Sequence, residues 1–367
     1  MTAPLSLSTA VRSVRLGKGW TQDELARRSG VSRAGVSAIE SGRLVPSTAT
    51  ALALARALET PLDRLFWLGE PSVANVPEWA IEPGADRARF WRVAIGGRER
   101  LYPVEPSPLG LLPHDGVVEG AVYHPREGVD PGRTLVLATC DPAVSLLAAE
   151  MARLRGVRLV VLSRSSGAAL ELLSKGLVHA AGVHLAATTA TSGNEGEVVP
   201  YLGNGTESEF RLIHGARWQS VVAYANRGRY KSLRSLVSAS PRWVSREPGS
   251  GARRCLDELL GHSRRVRLDE LPRARDHQGV AEAIRGDWAD AGVCLQLSSE
   301  QAGLAGFKIR QETYEICMAE SFVGDPRAIA LLEALESSRY RRDLGDLPGC
   351  ESSSTGEWRR VIIKADA

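Results

Sequence analysis

Five cysteines (Cys140, Cys255, Cys294, Cys317 and Cys350) are spread through 367 residues, and no two stand in a C-x-x-C pair. That spacing excludes a zinc ribbon, an iron–sulfur site and a disulfide scaffold, and it fits a reducing, cytoplasmic compartment. The seven histidines are scattered too, with no H-E-x-x-H, so no metal site is expected. No apolar run approaches the ~18 residues of a membrane-spanning helix. Residues 1–10 lack the basic start and apolar stretch of a signal peptide, so neither a membrane partner nor secretion is expected. A Walker loop, a GxGxxG fingerprint and a G-x-S-x-G elbow are all missing, and no resident cofactor is expected. The formal net charge is only +3, so any affinity for nucleic acid must come from local charge.

What is present divides the chain into four parts: 1–70, 71–131, 132–350 and 351–367. The first reads as five short helices between residues 8 and 66. Thr21 and Glu24 have capping-box spacing, with the Glu24 carboxylate reaching back. Gly30 suits the left-handed turn that ends this helix. Ser32 caps the next helix, whose inward face is Val36 and Ile39. Ser47 caps another, with Leu52, Leu54, Ala55 and Leu58 as its buried stripe.

The run WTQDELARRSGVSRAGVSAIESGRLVPSTATALALARALETPLDRLF closely resembles the Xre/Cro-type helix-turn-helix family over about 60 residues. The resemblance implies binding to a double-stranded DNA operator. In that geometry the N-terminal residues of the second helix face base edges in the major groove. Arg33 can fork onto a guanine, Ala34 can touch a thymine methyl, and Ser37 shares their face. Gln22, with the N-terminal amides of its helix, and Arg43 are placed for phosphate contact, and Ser32 at the cap is counted with the DNA-binding residues. Glu40 is expected to orient Arg43 or a local amide. Residues 1–70 carry nine Lys+Arg and six Asp+Glu, a modest excess that makes a homodimer the expected binding form.

Residues 71–131 are expected to be a linker carrying a β-hairpin, with strands at 90–95 and 98–104 around Gly96-Gly97. From residue 132 strands and helices alternate, which predicts an α/β domain built on a largely parallel sheet. The fold class expected is therefore multidomain: an all-α helix-turn-helix domain, then an α/β domain. Residues 351–367 are expected to be a tail.

Two loops in the α/β region run from a strand through small polar residues into a helix. Ser165, Ser166 and Gly167 form one, while Gly249 and Ser250, followed by Arg253, form the other. Helix N-termini present unpaired amides and partial positive charge to an anion. The segment 211–267 holds 13 Lys+Arg against three Asp+Glu, which favours an anionic ligand.

The words LATCDPAVSLLAAEM, SRSSGAALELLSKGLVHAAGVHLA, RWVSREPGSGARRCLDELL and HQGVAEAIRGDWADAGVCLQ resemble the type II periplasmic-binding-protein-like domain, in the form related to molybdate-binding proteins. That resemblance implies that the α/β domain is two-lobed, a clamshell closing on a small molecule or oxyanion, with Asn226 and Tyr314 as wall residues. Thr139-Cys140-Asp141 departs from the hydroxyl pair usual in the first loop. The reading is a non-enzymatic, cytoplasmic transcriptional regulator with a small anionic effector. Two alternatives stand beside it: a hydrolase with Ser163, Ser165 or Ser250 as nucleophile, and a regulator whose sensor has lost its ligand and serves as an interaction surface.

Overall fold

The computed structural model describes residues 7–68, 77–106, 109–110, 112–120, 122–126, 128–184, 195–202, 208–225, 230–261 and 268–363. It divides into two compact units, 1–77 and 78–367.

In the first unit, strand β1 (Leu7–Thr9) pairs antiparallel with β2 (Phe66–Leu68) and brackets five helices. These are α1 (Val11–Gly17), α2 (Gln22–Ser29), α3 (Arg33–Glu40), α4 (Thr48–Leu58) and α5 (Leu62–Leu65). Thr21, Ser32 and Ser47 each accept a hydrogen bond from the backbone N–H three residues on, which starts α2, α3 and α4. Gly30 ends α2 at φ 69°. The capping box is only half made, because the Glu24 carboxylate turns to Arg27 and Arg28 instead. The buried stripe of α4 also shifts: Leu52 is 52% exposed, and Ala51 takes its place beside Leu54, Ala55 and Leu58. That set has the i, i+3, i+4, i+7 spacing of one helix face. It packs with Val11, Leu25, Val36 and Ile39 into a single core.

The second unit opens with a four-stranded antiparallel sheet, not a bare linker. Its strands are β3 (Arg87–Ile95), β4 (Arg98–Pro103), β5 (Gly116–Glu119) and β6 (Val122–Pro125), in the order β4-β3-β5-β6. The expected hairpin is β3–β4. Trp91, Val93 and Tyr102 face the following sheet and are fully buried there.

A ten-stranded sheet follows. The chain runs β7 (Thr134–Thr139), α6 (Val144–Arg155), β8 (Arg158–Ser163), α7 (Ser166–Ser174), β9 (Ala180–Val183) and α8 (Glu195–Leu202). The 17-residue strand β10 (Ser208–Tyr224) then crosses into α9 (Leu233–Ser238), β11 (Trp243–Arg246), α10 (Gly251–Leu260), β12 (Arg273–Ala274), α11 (His277–Arg285), β13 (Ala291–Leu295) and α12 (Gln296–Gln301). The return strand β14 (Ala305–Ala319) leads to α13 (Pro326–Glu336), α14 (Ser338–Gly345), β15 (Cys350–Glu351) and β16 (Trp358–Ile363).

The strand order is β12-β11-β13-β10-β14-β9-β7-β8. Its two flanks are parallel: β7 pairs with β8 and β9, and β11 with β12 and β13. The centre is antiparallel, because β10 and β14 run against each other along most of their length. The expectation of a largely parallel sheet therefore holds for each flank and fails between them. Nor are residues 351–367 a free tail, since β16 pairs with residues 208–213 of β10 and buries Val361 and Ile363.

Alternate residues of β7 face opposite layers, as the two-residue period of a strand requires. Leu135 and Leu137 pack towards α6 and α13, while Val136 and Ala138 pack towards α7 and the four-stranded sheet. The second lobe repeats this arrangement, with Val293 and Trp243 towards α10 and Cys294 and Val244 towards α11.

Candidate functional site

In the first unit the second helix of the turn presents the expected face. Arg33 and Ala34 are exposed at the start of α3, Ser37 is half-buried, and Arg43 is exposed beyond its end. Ser32 Oγ accepts from the Gly35 amide at 3.1 Å, so it serves as the helix cap. Arg33 lies 3.4 Å from Asp23, with both side chains largely exposed, a pairing weak enough to be given up for a base or phosphate. The Gln22 side chain is turned inward and donates to Glu40 Oε2 at 2.9 Å. Glu40 does not orient Arg43, whose Nε donates to Ser41 Oγ instead. It takes a two-pronged contact from Arg15, at 2.6 and 3.0 Å, with both side chains buried. The pair ties α1 to α3, and it fixes the angle at which α3 is presented.

In the second unit the two predicted loops meet at the backbone of His184. Ser166 Oγ accepts from the His184 N–H at 3.0 Å. Gly251, first residue of α10, lies so close that a Cβ there would stand 2.6 Å from the His184 carbonyl oxygen. Ser165 and Ser250 are the N-cap residues of α7 and α10, and both are buried. Ser250 Oγ accepts from the Arg253 amide and donates to the Glu247 carbonyl. Gly249 sits at φ +85°, and a Cβ on Gly167 would stand 3.0 Å from the Tyr201 hydroxyl. Arg253 is committed to Asp257 and Asp269, at 2.6 and 2.9 Å. Tyr314 is buried, with its hydroxyl 3.0 Å from Thr139 Oγ1 and its ring edge-on to His184. Asn226 lies outside the described residues. Within the described part of the basic segment, carboxylates from other elements meet two of the arginines: Glu320 on Arg211, Asp287 and Asp290 on Arg242.

Around these loops lies a group of buried ionisable side chains that spacing along the chain gave no reason to join. Cys140 follows β7, His184 follows β9, Arg246 ends β11, His277 begins α11, and Glu312 lies in β14 opposite Trp218. Cys140 Sγ is 2.9 Å from His184 Nε2, and Glu312 Oε2 is 3.5 Å from His184 Nδ1 on the ring's other side. Arg246 is 1% exposed, with Glu247 at 3.3 Å, and its Nη1 has no partner. Asp141 Oδ1 and His277 Nδ1 are likewise buried without one. A cavity of about 290 Å³ opens onto Cys140, Asp141, Ser163 and His277.

Burial by itself would raise the Cys140 thiol, but His184 and Arg246 outweigh it and hold the thiol below its ordinary value. Burial likewise opposes charge on His184, yet Cys140 and Glu312 push it up to about 10. Asp141 is moved by burial up to about 6, with His184 opposing. His277 is held well below its ordinary value by burial, then by the charges of Arg246 and His184. Among these groups Arg246 is a buried cation with an unfilled donor, and such a donor is the chemistry of an anion contact.

The fold is that of a helix-turn-helix head followed by a two-lobed α/β domain of the periplasmic-binding-protein kind. The PBP superfamily domain model matches residues 148–336, and a helix-turn-helix model matches residues 11–65. The chain belongs to the PBP superfamily and carries a helix-turn-helix domain ahead of that region. It is 29% identical over 147 residues to the uncharacterized protein YvgK of Bacillus subtilis (strain 168), covering 38% of this chain and 46% of that one. The chain therefore spans about half the length of this relative. It is 36% identical over 64 residues to the uncharacterized HTH-type transcriptional regulator YgzD of the same organism, covering 17% of this chain and 97% of that one. Among solved structures it is similar to PhnD1 from Prochlorococcus marinus (MIT 9301) in complex with methylphosphonate, at 13% identity and TM-score 0.42, covering 64% of this chain and 94% of that one. It is also similar to the tungstate ABC transporter from Geobacter sulfurreducens, at 14% identity and TM-score 0.43, covering 58% and 98%.

Proposed function

We propose that the protein is a cytoplasmic transcriptional regulator that acts by binding rather than turnover, with a small anionic effector closing the cleft between the two lobes. The observation that carries this reading is Arg246, a guanidinium buried next to Cys140 with Nη1 unpartnered, Cys140 itself lining the cavity. A buried cation left short of hydrogen bonds is costly, and an anion supplies what it lacks. The two helix N-termini at Ser165 and Ser250 add amide donors from opposite lobes. An effector held by both lobes favours the closed form by its difference in affinity for the two forms. The DNA heads of a homodimer would register that change, because half-sites must lie about 34–36 Å apart.

The hydrolytic alternative gains nothing from the serines. Among the described residues no histidine side chain bonds the hydroxyl of Ser163, Ser165 or Ser250.

Thermal melting of the full chain with phosphate, sulfate, molybdate and small carboxylates in turn tests the proposal. One anion should raise the Tm, since a ligand at 100 times its Kd adds about 2.7 kcal/mol. Arg246→Met should abolish that rise. If no anion shifts the wild-type protein, the effector is not an anion, or the domain serves as an interaction surface.

A further inference from the structure

The same cleft gathers Cys140, His184 and His277, which are 44 and 93 residues apart along the chain. Their ligating atoms all lie within 4.8 Å of one another, and all three residues are buried. A tetrahedral zinc ion with Zn–S near 2.3 Å and Zn–N near 2.0–2.1 Å needs ligand atoms roughly 3.3–3.7 Å apart. The three atoms, all within 4.8 Å of one another, surround that spacing, and Cys140 and His184, now in hydrogen-bond contact at 2.9 Å, would move apart by about half an ångström to take the ion. We propose that Cys140, His184 and His277 form a three-ligand site for a borderline-soft divalent cation, zinc by its ligand chemistry. The inference concerns the same cleft but does not depend on which effector, if any, the cleft takes.

Four further observations point the same way. His277 Nδ1 is fully buried with no hydrogen-bond partner, so it has a ring nitrogen to give. Glu312 stands behind His184, on the nitrogen facing away from Cys140. A carboxylate in that place orients a ligating imidazole and makes it a stronger donor. The cavity also reaches both Cys140 and His277, which gives an ion a way to them from outside. Finally, three protein ligands leave a coordination position for water or an oxygen of another molecule, as in zinc sites that remain open. One thiolate with two imidazoles suits zinc better than magnesium or calcium, which take oxygen ligands.

The ligands come from both lobes. Cys140 and His184 follow β7 and β9, while His277 begins α11, so the ion would join the lobes across their cleft.

The test uses the full chain, stripped with a chelator and titrated with cobalt(II), whose spectrum reports both geometry and sulfur ligation. One equivalent should bind with the visible bands of a tetrahedral ion and a thiolate-to-cobalt band in the near ultraviolet. Zinc should displace it. Cys140→Ser should remove the thiolate band. It and His277→Ala should each weaken zinc by more than the ~10–100-fold that loss of an outer partner costs. Glu312→Gln should stay within that range and keep the band. Cys350→Ser, on a half-buried thiol outside the cluster, should change nothing. Circular dichroism melting of each variant separates loss of ligand from loss of fold. Failure of the wild-type chain to take up one equivalent, or a thiolate band that survives Cys140→Ser, overturns the assignment. Neither outcome bears on the anion screen, which is read by melting with the chelator present.

Discussion

Single side chains carry the sharpest consequences. Arg33 is exposed at the start of α3 and held only by a loose pairing with Asp23. Arg33→Ala should therefore weaken binding to the preferred operator by about 1–3 kcal/mol while leaving binding to unrelated duplexes nearly unchanged. Anisotropy titrations on both duplexes check this, and an equal loss on both would make Arg33 a phosphate contact. His179 offers a prediction about stability. It accepts from the Val136 amide at Nδ1, faces the Ala94 carbonyl and Arg327 at Nε2, and stacks on Phe322. Burial, then the charge of Arg327, lowers it to about 4. Between that value and the unfolded value near 6.5 the unfolded chain binds the extra proton, so stability rises with pH across this window. Full stability is present above pH ~6.5, and about 3 kcal/mol is lost on acidification towards pH 4. His179→Gln should flatten that part of a denaturant-midpoint profile. Side chains are also where sequence reading reached least. The cap at Ser32 and the exposed start of α3 at Arg33 and Ala34 were legible because cap and turn are both local. Cys140, His184, Arg246, His277 and Glu312 were not, because five separate elements bring them together.

At the scale of elements the outcome follows local pattern. The alternation read from residue 132 is carried by elements such as β7, α11 and β13, each an apolar run or a capped amphipathic stretch between turn residues. Strand β10 escaped notice. Its 17 residues include His214, Gly215, Arg217 and Gln219, which break any simple alternation, and a register shift falls between His214 and Ala216. Gly215 is required at that place: a Cβ would lie 2.5 Å from the Tyr314 ring. The start of α10 gives the matching prediction for the cleft. Gly251→Ala would set a methyl group 2.6 Å from the His184 carbonyl oxygen, a backbone atom that can yield only if the lobes part. Overpacking of this kind costs about 1–3 kcal/mol. The variant should melt lower and bind the effector more weakly than the wild type, with operator binding by the head preserved. Calorimetry and DNA titration on one preparation measure both.

For the whole molecule, two compact units and a modest positive charge on the first imply that affinity for DNA is built by doubling. Linking two heads raises apparent affinity by about 10²–10⁴ through effective concentration. The expected state is a homodimer on a pseudo-palindromic site. Sedimentation at micromolar protein, free and on DNA, checks it, and a monomer in both cases removes the claim. The two-layer alternation from residue 132 made the class of architecture readable, whereas the antiparallel centre came from strands that only tertiary pairing identifies. The path of those two strands has one more consequence. The chain leaves the first lobe along β10 and returns along β14, and Tyr224 and Ala305 face each other across one rung of that ladder. Residues 225–304 are thus a cassette whose two ends are already neighbours. An evolving or engineered chain could exchange that cassette for another without rerouting the rest, acquiring half of a new recognition surface while the operator-reading portion stays as it is.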